Sequence, residues 1–377
     1  MAQDNNVKAF LALLRAGLWE QVNDNVNDNE NFVDGLSVNW ADVIRLAEEQ
    51  SVVGIVAAGV ERLSDYSFFA ESDVTSRCSV PFLGIPLTEK LTLLGKCQLI
   101  EQRNAVMNQF VADLLEQLRE NGINVLLVKG QGVAQCYEKP QWRASGDVDL
   151  LLDEENYEKT IDYLTLLSST SKRERRYSKE ICFYLGDILV ELHGTLRTGL
   201  SSRIDKTVDE VQNDTFRNNK TRVWRNRDTD VYLPALDEDV FYVFAHFIKH
   251  FYKEGMNLRQ LCDWCRLLWT YKDEIDALLL EQRLRSAGLI KEWKSFAALA
   301  VNSLGMPTEA MPLYDSDECW CRRGKKLLDF ILKSGKPEKL RDTLTIAKIF
   351  PWNTFCFLPG ILVEVNGLKI KERIFGK

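Results

Sequence analysis

The chain lacks any apolar run long enough to cross a membrane. A transmembrane helix needs about 20 consecutive, mostly apolar residues, and no stretch of the 377 residues reaches that length. The N-terminus, Met1 to Asn6, also lacks the positively charged region and the apolar region of a secretory signal. We therefore expect a cytoplasmic protein without a membrane partner.

The sequence also lacks the features of secreted, repetitive or nucleic-acid-coating proteins. Its nine cysteines are an odd number and widely scattered, which is typical of reduced thiols rather than of a disulfide framework. No internal repeat or low-complexity tract is visible. The formal net charge of −7 disfavours a general coat for DNA or RNA, because such proteins need cations against the phosphates. A local basic groove, or a nucleotide that arrives with its metal ion, remains compatible with this charge.

The length predicts more than one domain, since the chain exceeds one ordinary hydrophobic core. We predict an N-terminal helical segment over residues 1–86, a core over residues 87–235 and a C-terminal helical domain over residues 236–377. The first boundary follows residues 64–86, a segment of mixed composition with two prolines near its end.

Helical spacing and capping residues predict further elements along the chain. Asn39 and Asp153 are typical of helix starts, and residues 88–120 have the apolar periodicity of one long helix. An acidic, Asn-rich stretch over residues 23–34 predicts a solvated loop. The residues after Arg203 are polar and then basic, and those after Gly305 show no clear pattern.

Two aspartates follow a short glycine-containing stretch of the predicted core. Residues 125–128 predict a strand, Lys129 and Gly130 follow it, and a second predicted strand carries Asp147 and Asp149. Because side chains of a strand alternate between faces, Asp147 and Asp149 project together. Adjacent carboxylates repel each other unless a cation lies between them, and Mg²⁺ or Mn²⁺ is the natural occupant.

Glu191 adds a third carboxylate. Residues 181–184 and 188–192 predict two strands joined at Gly186-Asp187, a hairpin signal, and Glu191 lies between apolar residues of the second strand. Asp-x-Asp alone is a weak signal, because solvated carboxylates at a strand edge are the simple alternative. Three acids on adjacent strands, however, can hold two metal ions, clamp a phosphoryl group and lower the pKa of an attacking hydroxyl.

Residues around the aspartates suggest phosphate binding. Lys129 and Gly130 lie where glycine allows close approach of the backbone and exposed amides favour phosphate. The chain has no Walker motif, and a plain turn with a surface lysine is the alternative. Arg143 and Ser145 are candidates for contact with a triphosphate, although Arg143 equally suits pairing with an acid.

At these residues the chain resembles the DNA polymerase β-type nucleotidyltransferase superfamily, and within it a bacterial family of uncharacterised nucleotidyltransferases. The abortive-infection toxin-type enzymes are more distant. The resemblance extends over about residues 35–270 and is carried by Lys129-Gly130, Arg143-x-Ser145-x-Asp147-x-Asp149 and Val190-Glu191-Leu-His193.

The resemblance implies a two-metal transfer of a nucleotide. Asp147 and Asp149 would be metal ligands, and Glu191 would be the third carboxylate, which activates the acceptor hydroxyl. The wider superfamily has a Gly-Ser pair after the first strand, where this chain has Lys129-Gly130. The resemblance therefore leaves open how the triphosphate is held.

Two histidines, His246 and His250, fall on one face of a predicted helix. They lack the glutamate of the zinc-protease motif H-E-x-x-H. Arg259 and Asp263 lie one turn apart on the next predicted helix, and the pattern of these four residues also resembles the closer family. For these four residues and His193, contact with substrate and a structural network that ties the helices to the catalytic face are both open.

These observations predict an α/β (α+β) protein with a nucleotidyltransferase-type mixed sheet and helices, flanked by N- and C-terminal helical segments. The predicted reaction transfers a nucleoside monophosphate from an NTP to a hydroxyl acceptor, with Mg²⁺ or Mn²⁺ as cofactor and release of pyrophosphate. The acceptor can be a protein side chain, an RNA end, a sugar or a metabolite. The basic runs over residues 172–176 and 217–227 suit either solvated faces or an acceptor groove.

Two alternatives belong to other functional classes. A metal-dependent glycosyltransferase also uses Asp-x-Asp, but it normally needs a larger nucleotide-sugar-binding unit before that motif, where this chain is mostly helical. A non-catalytic nucleotide-binding module of the same fold is the second alternative, and the presence of all three acids speaks against it.

Overall fold

The computed structural model describes residues 2–20, 37–70, 84–168, 170, 171, 177, 179–333, 339–359 and 361. The helices within these ranges are α1 (Ala2–Leu18), α2 (Trp40–Glu49), α3 (Val53–Ala70), α4 (Leu87–Glu120), α5 (Gly130–Ala134), α6 (Glu154–Leu167), α7 (Ser202–Arg217), α8 (Leu236–Lys253), α9 (Leu258–Thr270), α10 (Ala277–Ala287), α11 (Ile290–Leu304), α12 (Glu318–Lys333) and α13 (Lys339–Ile349). The strands are β1 (Leu126–Val128), β2 (Val148–Leu151), β3 (Thr170–Ser171), β4 (Glu180–Leu185), β5 (Ile188–His193), β6 (Thr221–Asn226) and β7 (Thr229–Pro234). Two 3₁₀ turns, Pro140–Trp142 and Thr308–Ala310, and a helical segment over residues 351–359 complete the elements. None of the described helices combines the length and the apolar character that a membrane span requires.

The main sheet has five strands in the order β1-β2-β5-β4-β3. β2 and β5 run parallel, whereas the other neighbouring pairs are antiparallel. β4 and β5 form the predicted hairpin, and its turn uses the positive φ of 61° at Gly186. β6 and β7 form a separate hairpin, of which β7 contacts β1. This mixed sheet with surrounding helices confirms the predicted fold class.

The two faces of the main sheet have different environments. Leu127, Leu150 and Val190 point to one face and pack with residues of α4 and α6 in a hydrophobic core. The opposite face carries Asp149 and Glu191, because side chains alternate along β2 and β5. The apolar face therefore anchors the sheet, and the charged face remains available for chemistry.

A second hydrophobic core joins helices from both ends of the chain. Trp264 of α9 and Trp293 of α11 are fully buried, and their rings meet edge-on at 4.8 Å. Phe10 of α1 and Phe350 belong to the same core. The predicted N- and C-terminal helical segments therefore pack together, while the domain boundaries after residues 86 and 235 stay predictions.

Local sequence signals place several helices correctly. Asn39 caps α2 and Asp153 caps α6, and each side chain accepts a backbone N–H of the first turn. The long helix predicted over residues 88–120 is α4. The loop predicted over residues 23–34 lies outside the described residues.

The polar stretch after Arg203 contains a helix that we did not predict, because most of its residues are polar. α7 begins after the N-cap Ser201 and buries Ile204, Val208 and Val211 on one face. Most of its other positions are polar, so the apolar stripe is narrow. The basic run that follows α7 forms β6 and the turns beside it.

Two other segments contain helices that we did not predict there. α3 continues to Ala70, into the segment that we predicted as the first domain boundary. The residues after Gly305, which show no sequence pattern, contain α12 and α13. The eight cysteines in the described ranges are free thiols, five of them buried, as expected for reduced cysteines.

Candidate active site

The parallel pairing of β2 and β5 sets Asp149 directly opposite Glu191. Directly opposed residues of neighbouring strands point to the same face of a sheet. His193 lies two residues after Glu191 on β5, so alternation places it on this face as well. Asp147, which we predicted on the strand, immediately precedes β2 and lines the same cavity. The two short strands and the residue before β2 thus bring four potential ligand side chains together.

A cavity of about 230 Å³ is lined by this face of the sheet and by residues of α8 and α9. Eleven of the twelve predicted site residues line it, and Ser145 is the exception. The eleven are Lys129, Gly130, Arg143, Asp147, Asp149, Glu191, His193, His246, His250, Arg259 and Asp263.

Three of these residues have the spacing of metal ligands. Asp149, Glu191 and His193 can each offer one ligand atom that lies within 4.8 Å of the other two. Asp147 lines the same cavity but is not a member of this group among the described residues. Two carboxylates and an imidazole are ligands that divalent cations accept. The cluster therefore fits a divalent ion and adds His193 to the carboxylates that the sequence suggested.

Lys129 points towards the carboxylates rather than into solvent. Its Nζ lies 2.7 Å from Asp149 Oδ1 and 3.4 Å from His246 Nδ1, and its side chain is 12% exposed. Its backbone φ of 59° is a left-handed value that non-glycine residues rarely adopt. Such conformations cluster at functional sites. The surface-lysine alternative is therefore wrong, because the ammonium lies against Asp149.

The carboxylates of the cavity have pKa values that move in opposite directions. Burial favours the neutral form of Asp149, but the charge of Lys129 and the hydrogen bond with His193 Nε2, at 2.8 Å, outweigh it and hold the pKa of Asp149 well below its usual value. The charge of Asp149, followed by burial, raises the pKa of Asp147. Burial, followed by the charge of Asp149, raises the pKa of Glu191. The three acids therefore repel one another, and a bound cation would relieve this repulsion.

Arg143 pairs with an acid, which is the second of its two predicted roles. Its guanidinium donates two hydrogen bonds to Asp263, at 3.1 and 2.6 Å, and Tyr137 donates to the same carboxylate at 2.8 Å. Arg143 is 5% exposed and Asp263 is 7% exposed. This buried pair connects the segment before β2 to α9. Its hydrogen bonds use the guanidinium that we considered as a ligand of the triphosphate.

Ser145 does not reach the cavity, because its hydroxyl donates to Asn104 Oδ1 of α4. The amide of Asn104 in turn donates to the carbonyls of Gln141 and Arg143, each at 2.8 Å. These bonds hold the segment before β2 against α4. Gly130, by contrast, lines the cavity and has a positive φ of 36°.

Arg259 lies in the cavity wall with an unused hydrogen-bond donor. Its Nη1 donates to the carbonyl of Ala144 at 2.8 Å, whereas its buried Nε has no partner among the described residues. Burial, followed by the charge of Arg143, lowers the pKa of Arg259, but a guanidinium remains charged in proteins. The cavity wall therefore contains a cation whose guanidinium is only partly hydrogen-bonded among the described residues.

His246 and His250 lie one turn apart on α8 and connect Lys129 to Glu254. The two Nε2 atoms are 2.9 Å apart, and His250 Nδ1 lies 2.9 Å from Glu254 Oε2. With the contact between His246 and Lys129, these bonds join α8 to the charged face of the sheet. A structural network through the histidines is thus present, and substrate contact stays a proposal.

The second basic run is largely neutralised by neighbouring acids. Arg222 is paired with the buried Asp239, and Arg225 is paired with Asp230 at 2.7 Å. The first run, over residues 172–176, lies outside the described residues. An acceptor groove built from these runs therefore stays a prediction.

The sequence did not identify four polar residues of the cavity wall: Glu180, Lys249, Glu254 and Gln260. Glu254 continues the four-residue spacing of His246 and His250, so helical periodicity is the signal that would have found it. Glu180 is the strand partner of His193. The two-residue turn predicted at Gly186-Asp187 fixes the register of this hairpin, so that turn is the signal that would have placed Glu180 opposite His193.

Comparison with known families matches residues 37–305 to the model of a family described as "Uncharacterised nucleotidyltransferase". The match covers more than half of the chain and includes all the cavity residues named above. No curated protein and no solved structure matches the chain. The chain therefore belongs to the uncharacterised nucleotidyltransferase family.

Proposed function

We propose that the protein is a metal-dependent nucleotidyltransferase that moves a nucleoside monophosphate from an NTP to a hydroxyl acceptor and releases pyrophosphate. The observation that carries the proposal is the placement of Asp149 opposite Glu191 on adjacent strands, with Asp147, His193 and Lys129 in the same cavity. Membership of a nucleotidyltransferase family supports an NTP as the donor.

The donor set favours Mg²⁺ or Mn²⁺ as the cofactor. Asp149, Glu191 and His193 would hold the ion, and Asp147 adds a third carboxylate to the cavity. Hard cations prefer carboxylate oxygens, and here carboxylates outnumber the imidazole. Such an ion, when bound, supplies positive charge to the α-phosphate and lowers the pKa of the attacking hydroxyl.

Lys129 and Arg259 are the residues that we assign to the triphosphate. Lys129 Nζ lies beside the ligand cluster, 2.7 Å from Asp149. Arg259 Nε is a buried donor without a described partner, and guanidinium groups bind phosphate oxygens well. Gly130 lets the backbone approach the phosphates, because it carries no Cβ. Arg143 and Ser145 instead stabilise the fold around the site.

Glu191 is the group that we assign to the acceptor. Its side chain is 22% exposed, against 6% for Asp149, so an acceptor hydroxyl can approach this carboxylate more closely than the buried one. In the transfer, the hydroxyl oxygen bonds to the α-phosphorus, and the hydroxyl proton passes to Glu191. The bond between the α-phosphorus and the bridging oxygen breaks, so pyrophosphate leaves.

Thermal unfolding tests which nucleotide the protein binds as the donor. ATP, GTP, CTP, UTP and UDP-glucose are each added with and without Mn²⁺. A ligand at about 100 times its Kd adds about 2.7 kcal/mol to the free energy of unfolding. We expect at least one NTP to stabilise the protein in the presence of Mn²⁺ and UDP-glucose to have no effect. Stabilisation by UDP-glucose alone would favour a glycosyltransferase instead.

Pyrophosphate release in the presence of Mg²⁺ tests turnover. Protein, RNA and small-molecule fractions are supplied separately, so the active fraction identifies the class of acceptor. Asp149→Asn removes a charge from the cluster and should abolish release, whereas Asp113→Asn on the exposed side of α4 should not. Full activity of Asp149→Asn would overturn the proposal. Binding of an NTP by the wild type without any release would favour a non-catalytic module.

A further inference from the structure

All three histidines of the chain line the same cavity. His193 belongs to the ligand cluster, but the proposed reaction leaves His246 and His250 without a role. They lie on α8, opposite the sheet, and Glu254 follows at the same four-residue spacing. Three polar side chains on one helix face of a cavity therefore need an explanation.

The hydrogen bonds run in one direction from Lys129 to Glu254. An ammonium can only donate, and an ionised carboxylate can only accept. His246 Nδ1, at 3.4 Å from Lys129 Nζ, must therefore carry a lone pair, so that its proton is on Nε2. That proton is donated to His250 Nε2 at 2.9 Å, and His250 then donates from Nδ1 to Glu254 at 2.9 Å.

The reverse direction of these hydrogen bonds conflicts with the positive charge of Lys129, at which they start. If His250 donated from Nε2, then His246 would have to carry its proton on Nδ1. An N–H would then face the Lys129 ammonium at 3.4 Å, where both atoms are donors. Burial, followed by the charge of Lys129, also lowers the pKa of His246 well below its usual value, which keeps this ring neutral.

We propose that His246, His250 and Glu254 form a hydrogen-bonded relay that holds His246 in its Nε2–H tautomer and thereby positions the Lys129 ammonium for the triphosphate. Glu254 fixes the tautomer of His250, and His250 fixes that of His246. All three are positioning residues, because they act through Lys129. The role of Lys129 towards the triphosphate rests on the proposed function, whereas the relay can be observed without turnover.

Nitrogen NMR of the full chain with isotope-labelled histidine tests the relay directly. Only three residues give signals, and the single variants His246→Gln and His250→Gln assign two of them. At about pH 7.5 we expect His246 as the Nε2–H tautomer and His250 as the Nδ1–H tautomer. The opposite tautomers, or rapid exchange between tautomers at both rings, would overturn the relay.

Two variants of Glu254 separate the relay from a general structural role. Glu254→Ala removes the acceptor for His250 Nδ1–H, whereas Glu254→Gln keeps an acceptor oxygen of similar shape. We expect Glu254→Ala to weaken the Nδ1–H preference of His250 more than the Nε2–H preference of His246, whose Nδ1 still faces Lys129, and Glu254→Gln to retain both. An unchanged tautomer ratio of His250 in Glu254→Ala would overturn the role of Glu254.

A double-mutant comparison tests whether the relay acts through Lys129. Glu254→Ala should raise the KM for the NTP by about tenfold, which corresponds to one lost hydrogen bond, and Glu254→Gln should restore it. In the Lys129→Met background, Glu254→Ala should have no further effect. Equal effects of Glu254→Ala with and without Lys129 would overturn the positioning role. A wild type without turnover would instead overturn the proposed function. The coupling to Lys129 is then read from the tautomer of His246: Lys129→Met should reduce its Nε2–H preference, and an unchanged preference would overturn the coupling.

Discussion

Asp149 and Glu191 are strand partners on the parallel pair β2 and β5, yet their pKa values are shifted in opposite directions. Lys129 and His193 favour the charged form of Asp149, whereas burial and the charge of Asp149 favour the neutral form of Glu191. Two carboxylates with different environments can take different roles in one reaction. Before a cation binds, this difference keeps Asp149 ionised and favours proton uptake at Glu191.

Lys129→Met tests the ion pair inside the cavity. The substitution leaves the buried Asp149 without its nearest cation, and breaking a buried ion pair costs about 3–5 kcal/mol. We expect the free energy of unfolding in urea to fall by this amount and nucleotide affinity to fall as well. The double variant Lys129→Met/Asp149→Asn should lose less than the sum of the two single variants.

A surface pair of the same chain is the matched control for Lys129. Lys206 lies 3.8 Å from Glu210 one turn away on α7, and both side chains are exposed. Lys206→Met should change the free energy of unfolding by about 0–1 kcal/mol, as exposed pairs do. Equal losses in the two lysine variants would contradict the buried pair.

Glu191→Gln should separate chemistry from binding. The amide keeps the shape of the side chain but cannot take up the hydroxyl proton, and general-base catalysis contributes about 10²–10⁴-fold to a rate. We expect kcat to fall within this range while the NTP affinity, measured by calorimetry with Mn²⁺, changes much less. If Glu191→Gln and Asp149→Asn lose nucleotide binding equally, Glu191 is a ligand without a separate role.

Arg143→Met and Arg259→Met should show that Arg143 stabilises the fold, whereas Arg259 binds the NTP. Arg143→Met leaves the buried Asp263 without its counter-charge, so the free energy of unfolding should fall by about 3–5 kcal/mol. Arg259→Met removes one hydrogen bond to Ala144, which costs about 1–3 kcal/mol, and it should raise the Kd for the NTP. Urea denaturation and calorimetry measure the two effects. The reverse pattern would assign the triphosphate to Arg143.

The sequence predicted those parts of the fold that depend on neighbours along the chain. The N-caps Asn39 and Asp153, the periodicity of α4 and the turn at Gly186 are local signals, and the structure contains all four. α7 was missed, because its apolar stripe is diluted by polar residues. The order of the strands and the register of β2 with β5 depend on contacts between distant segments, which no local pattern specifies.

The same distinction between local signals and long-range contacts applies to the residues of the site. The two-residue spacing of Asp147 and Asp149 predicted their common face, and the apolar residues around Glu191 singled out the third carboxylate, whose role the resemblance implied. The partner of Arg143 lies 120 residues away on α9, so the sequence alone left two roles open. The direction of the Lys129 side chain depends on a positive φ that sequence patterns do not predict for lysine.

Glu292 gives the helical core a pH-dependent contribution to stability. Its Oε1 accepts hydrogen bonds from Tyr252 at 2.8 Å and from Asn353 at 2.5 Å, whereas its buried Oε2 has no partner among the described residues. Burial outweighs these hydrogen bonds and raises the pKa of Glu292. The fold therefore favours the neutral acid. This contribution to stability is complete below the unfolded pKa of about 4.3 and is lost as the pH rises through the folded pKa.

Glu292→Gln should remove this pH dependence, because the amide cannot ionise. The variant should gain thermal stability relative to the wild type as the pH is raised from about 5 to about 8. The exposed Glu116→Gln is the control for the loss of one carboxylate that lies outside the core. If the difference between Glu292→Gln and the wild type is the same at both pH values, Glu292 does not titrate in this range and the predicted linkage is wrong.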